Sequence, residues 1–115
     1  MRIEIMSKNV EITDELRAHL HKRFRPVARQ VSELARLEVE LHEERNPAIA
    51  DRQIASATLR LKGSTLHAEE AATEMAGAIK AVGADIRRQV KRHTEIRRHR
   101  TASRRFASRL RREIA

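Results

Sequence analysis

Apolar and polar residues alternate in four short segments of the chain, at residues 1–5, 37–41, 55–61 and 66–68. This alternation is typical of strands that are buried on one side. Gly63-Ser64, between the last two segments, predicts the turn of a hairpin. The apolar positions of the four predicted strands are Met1, Ile3, Ile5, Leu37, Val39, Leu41, Ala55, Ala57, Leu59, Leu61, Leu66 and Ala68.

Two other segments repeat apolar residues every three or four positions, which is the spacing of one face of a helix. The first follows Thr13, whose hydroxyl can cap the free amide groups, and Pro26 within it predicts a kink or an early last turn. The second begins at about Ala71. The two apolar stripes are Leu16, Leu20, Phe24, Val27 and Val31, and Met75, Ile79, Val82, Ile86 and Val90.

The second stripe reaches polar positions after Val90, and these would not bury well against a sheet. The helix is therefore expected to project or to stop, with a break predicted at Thr101-Ala102-Ser103. Phe106, Leu110 and Ile114 recur every four residues and predict a short helix that a partner would order. We divide the chain into a folded domain of residues 1–98 and a basic C-terminal tail of residues 99–115.

The predicted order β-α-β-β-β-α indicates an α+β fold, a four-stranded mixed sheet with both helices packed on one face. The first helix must cross over between parallel strands, in a right-handed sense. This order resembles the double-stranded RNA-binding fold. The other sheet face should be solvated and mixed in charge, with Arg36, Glu38, Glu40, Ser56, Thr58 and Arg60 on it.

The net charge of +9 is concentrated near the C-terminus. Residues 80–115 hold 13 Lys and Arg against 3 Asp and Glu, whereas residues 1–79 hold 12 against 13. A block of this kind is typical of proteins that bind a polyanion such as nucleic acid. The alternative is a solvated basic segment without a partner. A membrane partner is not expected, because the stretch is mainly Arg with one aromatic residue, Phe106.

Several function classes are not expected. The chain has no cysteine, so it has no disulfide or thiolate metal site. The histidines fall on different helix faces and strands, and there is no Gly-rich phosphate loop, so we expect no enzyme, metal, cofactor or small-molecule substrate. No apolar run approaches the roughly 20 residues of a membrane span, and the charged N-terminus is unlike a signal peptide. A cytoplasmic protein is expected.

The positive charges of the two predicted helices fall on one edge of each, so helices lying side by side would form one basic surface. From Lys80 to Arg98 this edge is about 25–30 Å long, enough to follow several phosphates. RNA is favoured over DNA because no pattern for reading the major groove is present. On the first helix these cations are Lys22, Arg25 and Arg29, with Arg23 at the border of the edge. On the last helix they are Lys80, Arg87, Lys91 and Arg98, with Arg88 and Arg92 further round.

The double-stranded RNA-binding domain grips phosphates at the start of its last helix. Here the corresponding segment, residues 69–74, contains Glu69, Glu70 and Glu74, which would repel phosphates. The C-terminal half of the last helix is therefore the predicted phosphate-binding end.

Residues in three places resemble one family when their order and spacing are taken together. They are Asn9-Val10-Glu11-Ile12-Thr13 with Leu16-Arg17, Leu66-His67-Ala68 before Glu74-Met75-Ala76-Gly77-Ala78-Ile79, and Arg88-Gln89 before Arg92-His93. Over residues 1–98 the chain resembles the ribosome hibernation-promoting factor and ribosome-associated inhibitor family, also called sigma-54 modulation protein or ribosomal protein S30EA. Ala76 departs from the family, which has an aromatic residue there.

The resemblance implies a short-form factor that binds rRNA of the small ribosomal subunit in the mRNA and tRNA path and blocks translation in idle ribosomes. It leaves open whether a further hibernation protein takes part in pairing ribosomes. The family places basic or polar residues that face rRNA at the positions of Arg23, Arg88, Arg92 and His93. The charge pattern adds Arg87, Lys91, Arg97 and Arg98 to the candidate RNA-binding residues.

Two other functions remain open from the sequence. The chain could modulate transcription by binding a protein on the solvated sheet face, as the older family name suggests. Alternatively, it could be a general RNA chaperone that binds many RNAs without preference.

Overall fold

The computed structural model describes the backbone of residues 1–114 and the side chains of residues 1–99. Four strands and two helices follow one another in the predicted order, which confirms the α+β fold. They are β1 (Arg2–Lys8), α1 (Asp14–Ala28), β2 (Arg36–Glu43), β3 (Gln53–Leu61), β4 (Ser64–Ala72) and α2 (Met75–Ile114).

The sheet has the order β1-β2-β3-β4 and is mixed. β1 pairs with β2 in parallel, with Ile3 opposite Leu37, whereas the β2–β3 and β3–β4 pairs are antiparallel. Because β1 and β2 run in the same direction, the chain needs a crossover between them, and α1 provides it as predicted. Leu37 in turn lies opposite Leu59, so apolar side chains of neighbouring strands share one face.

The β3–β4 hairpin turns one residue earlier than predicted. Leu61 pairs with Ser64, so the two-residue loop is Lys62-Gly63, not Gly63-Ser64. Gly63 has a φ of 77°, a left-handed conformation that glycine adopts without steric cost. The hairpin therefore places glycine at the second loop position.

The N-terminus of α1 is capped as the sequence predicts. The backbone N–H of Leu16 donates to the Thr13 hydroxyl over 3.1 Å, and Asp14 and Glu15 occupy the first turn. At the other end α1 finishes at Ala28, two residues after Pro26, which agrees with an early last turn. Val31 consequently lies outside the helix, although it still packs against the core.

Helix α2 differs from its prediction at both ends. It begins at Met75, because Ala71 and Ala72 pair with Ile54 and Gln53 as the last residues of β4. It shows no break at residues 101–103 and continues to Ile114. The side chains of Phe106, Leu110 and Ile114, which form the predicted stripe, lie outside the described side chains, as do those of residues 100–115 in general.

Both helices pack on the same side of the sheet. Phe24 of α1 and Ile79 of α2 are fully buried in one cluster with Leu37 and Leu59 of the sheet. All buried side chains in the described part of the chain are hydrophobic, and the last of them along α2 is Val90. Beyond that residue α2 projects from the domain, and the molecule is 69 Å long.

The outer sheet face, which carries no helix, is solvated and mixed in charge. Arg36, Glu40 and Arg60 are exposed there, and Glu38 is half-buried. The Arg60 guanidinium donates to the Glu38 carboxylate over 3.0 Å. Residues of like charge nevertheless lie opposite one another, since Arg36 stands between Arg2 and Arg60 on the neighbouring strands.

Candidate nucleic-acid interface

The two helices run side by side in the same direction. His19 Nε2 lies 3.0 Å from the Ala76 carbonyl oxygen near the start of α2, and Arg23 contacts Gly83 further along. Arg29, which caps the end of α1, shares a depression with Arg98. Because contacts advance towards the C-terminus on both helices, the helices are parallel. Cationic residues of both helices line the groove between them.

We call this feature the interhelical groove. It encloses about 510 Å³ between the two helices, and Pro26 and the small residues Gly83 and Ala84 line it between cationic side chains. Six of the predicted RNA-binding residues surround it: Lys22, Arg23, Lys80, Arg87, Arg88 and Lys91. We refer to these six as the groove cations.

A second depression of about 480 Å³ continues along the helices from Lys91, which lines both. Arg29 and Arg98 contribute positive charge to it, whereas Glu95 contributes a negative charge. The basic surface therefore extends towards the projecting part of α2, and its charge density is lower there than in the interhelical groove.

The groove exists because α1 and α2 approach closely at Gly83. A Cβ atom on Gly83 would lie 3.4 Å from both the Cβ and the carbonyl oxygen of Arg23. Gly83 therefore packs against α1 and not against the sheet. Gly77, by contrast, faces Ala72 at the end of β4, where a Cβ would also lie 3.4 Å away.

Arg23 differs from the other groove cations in its burial. Its side chain is half-buried, and its Nε is buried without a hydrogen-bond partner among the described residues. A buried donor without a partner costs about 1–3 kcal/mol, so it is rare in folded proteins. The other five groove cations are exposed.

The groove cations keep their charge unpaired within the described part of the chain. The ion pairs Arg2–Glu4 at 3.8 Å and Arg60–Glu38 at 3.0 Å belong to the outer sheet face. Asp85, three residues before Arg88 on α2, instead accepts a hydrogen bond from Gln89, which also donates to the His67 carbonyl of β4. The groove therefore presents net positive charge to solvent.

The remaining predicted residues lie outside the groove. Arg25 faces away from it and lines a depression with Met1 and Ile3 at the edge of β1. Arg92 and Arg97 are exposed on α2, and His93 is half-buried. None of the three lines the depressions described between the helices.

Sequence reasoning missed the residues that shape the groove. Gly83 and Ala84 lie between Lys80 and Arg87 on the same face of α2, and the appearance of two small residues between cations at helical spacing could have identified them. Pro26 was expected only to affect the helix, but it also lines the groove.

Comparison with known proteins assigns this architecture to a family. The family model described as sigma 54 modulation protein / S30EA ribosomal protein matches residues 3–98. The chain belongs to this family. This confirms the resemblance seen in the sequence and places the chain in a family of ribosome-associated proteins.

Two solved structures are similar to this S30EA family member. The Protein Y N-terminal domain from Thermus thermophilus is 26% identical, with a TM-score of 0.68, and the match covers 81% of this chain and 99% of that one. A ribosomal subunit interface protein from Coxiella burnetii is 19% identical, with a TM-score of 0.69, and the match covers 83% and 99%. The second similarity concerns the fold alone. No curated protein matches the chain.

The described part of the chain contains no group of three or more His, Asp or Glu residues placed to hold a metal ion. Within that part, no helix combines the length and hydropathy that a membrane crossing requires.

Proposed function

We propose that this protein binds rRNA of the small ribosomal subunit in the path of mRNA and tRNA and blocks translation in idle ribosomes by occupying that path. The observation that carries the proposal is the interhelical groove, where six cations from two helices converge in a member of a ribosome-associated family. None of the six is in an ion pair with another described residue. RNA phosphates are the ligands that such a surface attracts most strongly.

The shape of the surface favours RNA that is read through its backbone. The groove cations are carried along the sides of two helices, and no helix end is aimed at base edges as in major-groove readers. RNA helices are recognised largely by shape and phosphate contacts, which parallel rows of Lys and Arg can make. Further contacts beyond the groove would come from Arg29, Arg92, His93, Arg97 and Arg98.

The family supports the ribosome as the source of the RNA. The description of the family to which the chain belongs includes a ribosomal protein. The same description also includes sigma 54 modulation, so a protein partner on the outer sheet face is the competing function that the experiment must separate.

Sedimentation of ribosomes with the purified protein tests the proposal. We expect the wild-type chain to migrate with small subunits and idle ribosomes and to inhibit translation in a cell-free reaction. Arg87→Glu/Arg88→Glu should abolish both effects, because it reverses two exposed groove cations without touching the core. Arg36→Glu/Lys62→Glu makes the same charge change at exposed residues outside the groove and should bind normally.

Two results would contradict the proposal. If both double variants bound ribosomes equally well, the groove would not be the contact surface. If only the Arg36→Glu/Lys62→Glu variant lost ribosome binding, the contact surface would be the outer sheet face with the β3–β4 loop. Competition by bulk tRNA separates a general RNA chaperone, which would be displaced, from a ribosome-specific factor.

The salt dependence of binding gives an independent measure of the same contact. If the six groove cations each neutralise one phosphate, log K should fall with log salt concentration at a slope of about −4 to −5. A slope near zero would show that phosphate neutralisation does not drive binding.

A further inference from the structure

We propose that the interhelical groove is a discrete binding site for a chain of linked phosphate groups, which we call the seat. We also propose that Gly83 is the positioning residue that lets cations of both helices contact one ligand. The proposal rests on the proposed function for the identity of the natural ligand, a segment of RNA backbone. The seat itself is defined by chemistry that free inorganic triphosphate shares.

The spacing of the cations fits linked phosphates better than one isolated anion. Lys80 and Arg87 are two helical turns apart on α2, and Lys91 follows one turn later, so these cations recur over about 16 Å at 1.5 Å per residue. Lys22 and Arg23 face them from α1. A single phosphate could contact only part of this row, whereas a chain of phosphates can contact several members at once.

The floor of the groove leaves room for such a ligand. Gly83 and Ala84 end at or before Cβ, so the longer cationic side chains rise on either side of them. Six positive charges around one small volume, none of them in an ion pair among residues 1–99, repel one another. A polyanion bound among them relieves that repulsion. The Nε of Arg23, which has no hydrogen-bond partner among the described residues, adds a donor to the groove.

Gly83 determines whether the cations of α1 and α2 can contact the same ligand. A Cβ at this position would already contact the Arg23 backbone at 3.4 Å, so the larger side chain of valine must push α1 away from α2. Arg23 and Lys22 would then move away from Lys80 and Arg87. Gly77 provides a matched control, since its Cβ would meet Ala72 at the same distance but at the sheet.

Titration calorimetry of the full chain with inorganic triphosphate tests the seat in the absence of ribosomes. We expect one saturable site that binds triphosphate at least about tenfold more tightly than orthophosphate, because linked anions engage several charge-assisted contacts at once. Lys80→Gln/Arg87→Gln, at exposed positions, should weaken triphosphate binding about tenfold or more. Arg36→Gln/Lys62→Gln should leave it unchanged.

Glycine variants then test the positioning role. Gly83→Val should weaken triphosphate binding several-fold while Gly77→Val does not, with folding of both checked by circular dichroism and thermal unfolding. If Gly83→Val does not fold, Gly83→Ser replaces it, compared with Gly77→Ser, because the serine hydroxyl extends beyond the Cβ position that already lies 3.4 Å from its neighbour. Equal binding by the Gly83 and Gly77 variants would overturn the role assigned to Gly83.

The failure of this proposal differs from failure of the proposed function. If triphosphate shows no saturable binding, or binds no better than orthophosphate, while the chain still binds ribosomes through Arg87 and Arg88, the discrete seat is wrong and the function stands. If triphosphate competes with a single-stranded RNA oligonucleotide for the groove, RNA backbone and free polyphosphate share the seat.

Discussion

Single side chains define where the elements of this protein begin and how closely they approach. The Thr13 hydroxyl accepts a hydrogen bond from an amide at the start of α1. Gly83 has no side chain, which allows α2 to lie close to Arg23. Asn9 adopts a left-handed φ of 62°, and its side-chain oxygen accepts a hydrogen bond from Arg45 at 2.8 Å. Each of these residues acts through a few atoms, so each can be tested by one substitution.

The cap on α1 gives a prediction at the residue scale. Thr13→Ala should lower the free energy of unfolding by about 1 kcal/mol, because the Leu16 N–H loses its acceptor. Thr13→Ser keeps the hydroxyl and should cost much less. Urea unfolding measures both, and equal losses would mean that the threonine methyl group, not the cap, provides the stabilisation.

Residue patterns predict most of the elements, since alternation and helical spacing record which side chains face the core. They fail at Ala71 and Ala72, because alanine fits a strand as well as a helix and only pairing with β3 decides between them. They also misplace Arg25: a helical wheel gives angles within one helix but not which side faces its neighbour. The groove floor at Gly83 depends on that same missing information.

Helix α2 combines two different parts at the scale of one element. From Met75 to Val90 it contributes buried side chains to the core, and its described residues after that are exposed or half-buried. The predicted boundary between a folded domain of residues 1–98 and a basic tail is not a helix end, because α2 runs through it. It remains a prediction about which residues contribute to the stability of the domain.

A truncation tests that boundary. A chain ending at His99 should keep its cooperative thermal unfolding within a few degrees, because the buried side chains described here all precede that residue. Its RNA binding should have a shallower salt dependence, since six arginines are removed with residues 100–115. Loss of cooperative unfolding would show that the domain includes the later part of α2.

At the scale of the whole molecule, charge is distributed differently on the two faces. The helical face concentrates cations in one groove, whereas the outer sheet face arranges charges in rows across the strands. Arg2, Arg36 and Arg60 form one such row, and Glu4 lies opposite Glu38 in the next. Ion pairs between the rows offset part of the repulsion within them.

The arginine row predicts a stabilising substitution. Arg36→Thr should raise the free energy of unfolding by a few tenths of a kcal/mol or more, because like charges directly opposite on neighbouring strands are unfavourable by about 0.2–1 kcal/mol. The gain should shrink as salt is added. Glu40→Thr is the matched control, since Glu40 lies between uncharged Met6 and Ser56. An equal gain in both variants would reflect strand propensity alone.

The parallel pairing of β1 with β2 has a consequence for the order of folding. Ile3 meets Leu37 only after the 33 residues between these positions form a closed loop, whereas β3 and β4 close across two residues. By loop entropy alone the longer closure costs about 2–3 kcal/mol more. We therefore expect the first strand to be synthesised to be the last to dock, leaving the edge of β2 open in the nascent protein. Pulsed hydrogen exchange during refolding would show that the β1 amides are protected last. Until β1 docks, the open edge of β2 is where newly made chains are most exposed to aggregation.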